Sequence, residues 1–217
     1  MSPRGLPNTS TSVPHPTPPT LPTPHHHHKN PPPPTPVPPG PPPRLADSYH
    51  ASFGTPVVTL RPFNTFGPRQ SMRAVIPTVI GQVAAGQRTI TLGDLRPTRD
   101  FTFVEDTAQA FLAVGTAAAE RVVGRTFNAG TGGEISVGDL VALIGKVMDA
   151  PLDVQEDTAR LRPAASEVMR LVADATRLTT ATGWRPASTL EDGLARTARW
   201  FTDPANLARY KTGIYNI

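Results

Sequence analysis

The residues of this sequence best suited to hold a charged ligand are two arginines and an asparagine. Arg99 and Arg162 each lie near the edge of a predicted element, and a planar guanidinium makes paired, charge-assisted hydrogen bonds to phosphate oxygens. Asn64 offers both a hydrogen-bond donor and an acceptor. It lies in the segment 61–69, where two prolines and a glycine restrict the backbone. These residue types indicate a rigid polar wall that could bind a phosphorylated ligand.

Each of these residues also has a purely structural interpretation. Arg99 could form an ion pair with Asp100 or Glu105, and Arg162 could be a solvent-exposed loop charge. The segment 61–69 could be an ordinary proline-rich turn. Residue types alone leave both interpretations open.

A predicted strand positions this segment. Residues 57–60 are β-branched or apolar and are bounded by prolines, which is typical of a short buried strand that leads into a loop. Before it, residues 44–53 carry Leu45, Tyr49 and Phe53 four positions apart, which predicts one apolar face of a helix. A helix followed directly by a strand is the alternation of a doubly wound α/β sheet.

The same alternation continues to the end of the chain. Apolar periodicity and turn residues predict further elements, with Asp106, Ser136, Asp174 and Thr189 as the residues that cap helix N-termini. The predicted helices span residues 75–85, 107–114, 136–148, 174–183 and 189–201, and the predicted strands span residues 89–92, 99–104, 126–128, 152–154 and 168–172.

Several motifs together resemble one family. They are Arg61-Pro-Phe-Asn-Thr-Phe-Gly-Pro68, Pro97-Thr-Arg-Asp-Phe-Thr-Phe-Val-Glu-Asp106, Phe127-Asn-Ala-Gly130, Leu161-Arg-Pro163 with Ser166-Glu-Val168, and Thr182-Gly-Trp-Arg-Pro186. Their residue types and order resemble the extended short-chain dehydrogenase/reductase family, and residues 70–77 are similar to its nucleotide-sugar 4,6-dehydratases. The resemblance covers residues 44 to 217 and only the second half of the family's sequence.

The resemblance implies a fold, a cofactor and a substrate. It implies the late strands of a partial Rossmann-type doubly wound sheet, joined to a smaller α/β substrate-binding domain. It also implies NAD as the cofactor and a nucleoside diphosphate sugar as the substrate, in enzymes that are usually homodimers. NAD would oxidise the sugar at C4, water would be eliminated across C5 and C6, and the hydride would return to C6.

The family's site residues are carried over only where a motif matches. By this resemblance, Pro62 and Phe63 lie beside the nicotinamide of the cofactor. The matched substrate-binding positions are Asn64, Ala74, Val75, Arg99, Asn128 and Arg162. Epimerases and reductases of the same family share the pattern of Asn64, Arg99 and Arg162, so these two activities stay open as alternatives.

No catalytic residue of the family can be placed on this chain. The family's Tyr-x-x-x-Lys motif would fall on Thr35 and Pro39, and neither residue can act as the base. The glycine-rich fingerprint that seats a dinucleotide is also missing, because the loop 130–133 lacks the second strand and the acidic residue that the fingerprint requires. We interpret that loop as a turn. We therefore expect a truncated chain that is inactive by itself.

The first 43 residues differ in composition from the rest. Residues 1–44 hold 18 of the 27 prolines and no acidic residue. Such a segment has few amide donors and little to bury, so we expect disorder with local polyproline II character. It could bind a proline-recognising domain, which would make the chain an interaction protein, and its four histidines at 25–28 could bind a transition metal adventitiously. A third interpretation is a frameshifted remnant, which translation of the upstream DNA in every frame would test.

Composition argues against several classes of function. Without the three basic side chains of residues 1–44, the chain has 18 basic against 17 acidic residues, so its charge gives no indication of a nucleic-acid partner. It has no cysteine, which excludes disulfides and cysteine-based metal sites, and we predict no metal site. No segment approaches the ~20 apolar residues of a membrane span. We expect a cytoplasmic protein.

The resemblance also leads to an expectation about stability. The strands 57–60 and 126–128 would pair in a sheet whose other strands precede residue 44. We therefore expect unpaired strand edges, exposed apolar faces, and a marginally stable or aggregating protein.

Overall fold

The structure, a computed structural model, describes residues 44–157 and 168–210. The proline-rich segment 1–43 and Arg162 lie outside the described residues. The helices are α1 (Arg44–Phe53), α2 (Val75–Ala84), α3 (Val104–Thr116), α4 (Ala119–Val122), α5 (Val137–Val147), α6 (Thr176–Thr182), α7 (Leu190–Thr202) and α8 (Pro204–Leu207). The strands are β1 (Thr59–Pro62), β2 (Thr65–Phe66), β3 (Thr89–Leu92), β4 (Thr98–Arg99), β5 (Thr102–Phe103), β6 (Thr126–Ala129), β7 (Ile135–Ser136), β8 (Asp153–Glu156) and β9 (Arg170–Leu171). The predicted α/β class is confirmed.

Most strand pairs are parallel and join segments that are far apart in the sequence. Strand β1 pairs with β6, β2 with β5, and β3 with β8, all in parallel. Strand β4 lies at the centre of a three-stranded sheet, antiparallel to β7 and parallel to β9. Parallel strands require crossover connections, and most of these crossovers contain helices, as expected for an α/β fold.

The pairing of β1 with β6 corrects one expectation. We expected both strands to lack partners, but they pair with each other over Thr59 opposite Thr126 to Pro62 opposite Ala129. The pairing satisfies the backbone groups along the edge that they share. Within the described ranges, the outer edge of each strand pairs with no other strand.

Two of the four predicted helix caps are confirmed. The Ser136 side chain accepts a hydrogen bond from the backbone nitrogen of Asp139 at 3.0 Å, and Thr189 accepts one from Asp192 at 3.1 Å. Each side chain satisfies one of the amide donors that a helix leaves unpaired in its first turn.

The other two predicted caps are wrong. Helix α3 begins at Val104, so Asp106 lies inside its first turn. The Asp106 carboxylate instead accepts hydrogen bonds from the backbone nitrogens of Ala187 and Ser188, because a distant segment packs over this turn and supplies donors. Asp174 accepts from the nitrogen of Thr176 at 2.9 Å but lies one residue before the N-cap position of α6.

The buried apolar side chains form two separate clusters. The larger, which we call the cavity-side cluster, consists of Phe66, Met72, Ile76, Val79, Ile80, Val83, Ile90, Leu92, Phe103, Leu140, Val141, Ile144, Ala150, Leu194, Ala198 and Phe201. It forms where α2, α5 and α7 pack together. The smaller, the β6 cluster, consists of Ala110, Val114, Val122, Phe127, Ala129, Leu178 and Trp184.

Helix α1 has the predicted bounds, but its apolar face is not buried. Gly54 ends the helix with a φ of +64°, and its nitrogen donates to the carbonyl of His50 at 2.9 Å. Leu45, Tyr49 and Phe53, which we call the α1 stripe, are 70%, 50% and 75% exposed. The stripe therefore contributes little to the packing of the described residues.

The helices of the described part of the chain are too short or too polar to cross a lipid bilayer.

Candidate functional site

A cavity of about 460 Å³ opens beside the cavity-side cluster. Its described lining comes from the loop between β1 and β2, the start of α2, the loop after β3, and β4 with the residues that follow it. The lining residues are Asn64, Thr65, Phe66, Gln70, Arg73, Ala74, Val75, Ile76, Thr78, Leu92, Gly93, Asp94, Pro97, Arg99, Phe101 and Val137. The lining therefore combines apolar side chains with the guanidiniums of Arg73 and Arg99 and the amides of Asn64 and Gln70.

The cavity brings together four of the residues singled out in the sequence, namely Asn64, Ala74, Val75 and Arg99. Three others, Pro62, Phe63 and Asn128, belong to or follow β1 and β6 and do not line it. The predicted contacts of these three residues, and that of Arg162, stay predictions.

Asn64 is held in an unusual backbone conformation at the end of the β1 loop. Its φ is +30°, a left-handed region that asparagine tolerates better than most residues. Its side-chain nitrogen donates to the Asp100 carbonyl at 2.7 Å, and the backbone nitrogen of Phe63 donates to Ala129 at 2.9 Å. These contacts fix the loop to the residue after β4 and to the last residue of β6.

Arg99 is the last residue of β4 and is supported on both sides. It lies opposite Ile135 of β7 and Leu171 of β9, and its Nη1 donates to the Thr98 carbonyl at 2.8 Å. A residue at the centre of three strands has little backbone freedom. The direction in which the Arg99 side chain leaves the sheet is therefore set before any ligand arrives.

Glu134 joins the three strands of this sheet beside Arg99. It accepts a hydrogen bond from the Thr98 hydroxyl at 2.7 Å, and Arg170 Nη2 lies 2.8 Å from its Oε2. The hydrogen bonds from Arg170, and then from Thr98, lower the pKa of Glu134 below its usual value. This contact connects β4, β9 and the residue before β7.

The two carboxylates proposed as alternative partners for Arg99 have other partners. The Asp100 carboxylate is fully buried and accepts from Thr131, Gly132 and Ala173. Glu105 contacts Arg196, whose guanidinium lies 4.5 Å from the centre of the Phe103 ring.

Three residues that we did not single out also line the cavity. Arg73 adds a second guanidinium, and the signal for it was its position directly before Ala74. The Gln70 side-chain nitrogen donates to the Thr65 carbonyl at 2.8 Å, and its buried oxygen has no hydrogen-bond partner among the described residues. Asp94 forms an ion pair with Arg96 at 2.7 Å.

Asp94 keeps a negative charge at one side of the cavity. Hydrogen bonds from the side chain and the backbone of Arg96 lower the pKa of Asp94 from its usual 3.8 to about 2. The carboxylate is therefore ionised at neutral pH. Arg96 balances this charge, so Arg99 and Arg73 are the lining residues suited to the anionic part of a ligand.

The described residues do not form a dinucleotide site. The loop 130–133 follows β6 and leads to β7 and not directly to a helix. The nitrogens of Thr131 and Gly132 donate to the Asp100 carboxylate at 3.0 and 2.9 Å, which engages the donors that a pyrophosphate would need. The nitrogen of Phe63 is also engaged. The residues present do not fit NAD by themselves, and no chemical step is assigned through it.

The fold and the cavity define an α/β protein with parallel strands and a partly cationic pocket at strand ends. The chain belongs to the family described as GDP-mannose 4,6 dehydratase, whose model matches residues 43–197. This result agrees with the resemblance to nucleotide-sugar enzymes of the short-chain dehydrogenase/reductase type.

Individual relatives support the same assignment. The chain is 32% identical over 165 residues to dTDP-glucose 4,6-dehydratase of Xanthomonas campestris, covering 72% of this chain and 46% of the relative. An epimerase structure from Methanothermobacter thermautotrophicus has a TM-score of 0.67 at 30% identity, covering 76% of this chain and 49% of that one. A structure of RMD from Pseudomonas aeruginosa complexed with NADPH has a TM-score of 0.65 at 27% identity, covering 73% and 52%.

The alignments cover a larger share of this chain than of its relatives. The chain spans about half the length of the curated relatives it matches, 46% for the one from Xanthomonas. The matched half includes the cavity described above.

Proposed function

We propose that this chain is the substrate-binding part of a nucleotide-sugar 4,6-dehydratase and binds a nucleoside diphosphate sugar in the cavity. The observation that carries the proposal is the presence of Arg99, Arg73 and Asn64 around one cavity that apolar side chains also line. Guanidiniums suit the diphosphate, and apolar side chains suit the faces of the base and the sugar. The name of the relative from Xanthomonas makes dTDP-glucose the first ligand to test.

The chemistry assigned to the chain is binding and orientation. Arg99 and Arg73 would neutralise the diphosphate, and Asn64 would offer an amide to the sugar-nucleotide. The described residues include no Tyr-x-x-x-Lys pair. Oxidation at C4 needs such a base, so we expect no 4-keto-6-deoxy product when the chain is incubated with dTDP-glucose and NAD. Product formation, detected by NMR of the sugar protons, would contradict this expectation.

Calorimetric titration of the full chain with dTDP-glucose tests the proposal. We expect saturable binding with one ligand per chain. Arg99→Ala should weaken it by about 1.5–3 kcal/mol, the range for hydrogen bonds to charged groups, which is about 10-fold to more than 100-fold in Kd.

The matched control is Arg88→Ala. Arg88 also donates from its guanidinium to backbone carbonyls, those of Val83 and Gln87, but it does not line the cavity. Its loss should leave Kd unchanged. Equal weakening by both substitutions, or no binding by the unmodified chain, would overturn the proposal.

The epimerase alternative uses the same cavity, and one of the similar solved structures is an epimerase. Parallel titrations with UDP-glucose and GDP-mannose would separate the candidate ligands. A preference for either ligand over dTDP-glucose would change the proposed substrate without changing the proposed site.

A further inference from the structure

We infer that Asp100 is a positioning residue, which holds Arg99 and Asn64 in the geometry that binds the diphosphate sugar. The inference rests on the proposed function of the cavity. Asp100 does not line the cavity itself. It is fully buried, and its two sequence neighbours, Arg99 and Phe101, both line the cavity.

The Asp100 carboxylate occupies a nest of donors from distant segments. Its Oδ1 accepts from the nitrogen and the hydroxyl of Thr131 at 3.0 and 2.6 Å. Its Oδ2 accepts from the nitrogens of Gly132 at 2.9 Å and Ala173 at 3.2 Å. Hydrogen bonds from backbone nitrogens to a carboxylate are charge-assisted and stronger than those between neutral groups. Asp100 therefore ties the loop after β6 and the residues after β9 to the end of β4.

The backbone of Asp100 extends this network to the cavity. Its nitrogen donates to Leu171 of β9 at 3.0 Å, and its carbonyl accepts the Asn64 amide at 2.7 Å. Asn64 and Arg99 are thus both connected to Asp100, one through a hydrogen bond and the other through a peptide bond. A shift of the Asp100 backbone would move both groups that face the ligand.

The residues around the Asp100 carboxylate are closely packed at Gly130. A Cβ added at Gly130 would overlap the Ala173 Cβ and lie 2.6 Å from Asp100 Oδ2. The nest is therefore closed on the side of β6 as well. Tight closure suits a positioning role, because small displacements of groups that orient a ligand have large effects on what that ligand does.

A second buried carboxylate provides a matched control. Asp106 is 4% exposed and also accepts two backbone hydrogen bonds, from Ala187 and Ser188. It lies beside the β6 cluster, where its carbonyl accepts from Trp184, and it does not line the cavity. Asp106 should therefore be a structural residue only.

The test compares Asp100→Asn with Asp106→Asn in the full chain. Both changes replace a carboxylate with an amide of the same shape, which turns one accepting oxygen into a donor facing backbone donors. We expect both to lower the melting temperature. The readout is the preference for dTDP over dTMP, which is the ratio of their Kd values. A general loss of stability affects the binding of both ligands equally and leaves this ratio unchanged. Only Asp100→Asn should therefore reduce the ratio, by about tenfold.

Substitutions at Thr131 keep the inference testable where Asp100→Asn does not fold. Thr131 is exposed, and its hydroxyl donates to Asp100. Thr131→Val removes this donor and should lower the preference for dTDP over dTMP. Thr131→Ser keeps the hydroxyl and should leave that preference unchanged. A preference that is equal in Thr131→Val and Thr131→Ser would overturn the inference.

A measurement without ligand separates this inference from the proposed function. In the free protein, the Asn64 side-chain amide should exchange with solvent about tenfold faster in Asp100→Asn than in Asp106→Asn. Equal exchange rates would overturn the role of Asp100. Failure of the unmodified chain to bind any nucleotide would overturn the proposed function, and the exchange rates would still decide whether Asp100 holds the loop.

Discussion

The regions around the cavity-side cluster and around the β6 cluster differ in how completely they bury their apolar residues. The cavity-side cluster packs three helices around a continuous core, and its buried side chains include Phe66, Phe103 and Phe201. The β6 cluster is smaller, and the strand pair β1 and β6 next to it has no further strand on either outer edge among the described residues. Helix α1, which precedes β1, exposes its stripe.

The difference bears on the binding function proposed for the cavity. A binding site needs side chains held by a packed core, and the cavity has one beside it. The β6 side offers an open sheet edge and an exposed apolar face, and such surfaces need a cover. We therefore expect the region around the cavity to be the more stable of the two.

The largest expected effect comes from removing one buried ring on each side. Phe66→Ala in the cavity-side cluster should cost about 5 kcal/mol of unfolding free energy, and Phe127→Ala in the β6 cluster about 3 kcal/mol, the two ends of the range for this change. The loosely covered side can collapse around the lost ring more easily. Urea unfolding followed by circular dichroism measures both. Equal costs would show that the two clusters do not differ in rigidity.

A smaller effect is expected where the two regions meet. Gly130→Ala would place a methyl group against Ala173 and Asp100 and should cost about 1–3 kcal/mol, the usual range for overpacking. The control is Gly115→Ala in α3, which has no atom within 4 Å of the added Cβ and should stabilise the protein by about 0.4–1 kcal/mol. Thermal unfolding of both variants gives the comparison. A neutral Gly130→Ala would mean that β6 and the Asp100 nest are not tightly joined.

The smallest effect on folding is expected on the α1 stripe. Leu45→Gln combined with Phe53→Gln should change the unfolding free energy by no more than about 0.5 kcal/mol, because both side chains are exposed. We expect the exposed stripe to promote aggregation, so the same double variant should aggregate less in sedimentation velocity experiments. Phe111→Gln, which changes an exposed ring outside the stripe, should have a smaller effect. Unfolding of the double variant would show that the stripe packs against the protein.

Sequence reasoning located most elements but missed contacts between distant segments. Helix α1 and strand β3 have the predicted bounds, since periodicity and turn residues determine them locally. Asp106 looked like a helix cap because its neighbours in sequence suit one, but its donors come from residues far along the chain. The partner of β1 was also missed, because pairing in a sheet depends on tertiary packing.

The site was predicted in part for the same reason. Arg99 and Asn64 were singled out by residue type and by resemblance, and the cavity contains both. The nest around Asp100 could not be predicted, because three of its four donors are backbone nitrogens whose direction no residue type specifies. Arg73 was accessible in principle, since it precedes a residue already assigned to the pocket.

The parallel pairing of the strands has a consequence for how the chain folds. Thr59 lies opposite Thr126, and Thr89 lies opposite Asp153. Each of these two strand pairs therefore has to close a long loop of chain before its first hydrogen bond can form. Such high contact order slows folding, because the entropy of loop closure is lost first. During synthesis on the ribosome, β1 cannot pair until β6 has been synthesised. Chaperones can bind the emerging chain during this time.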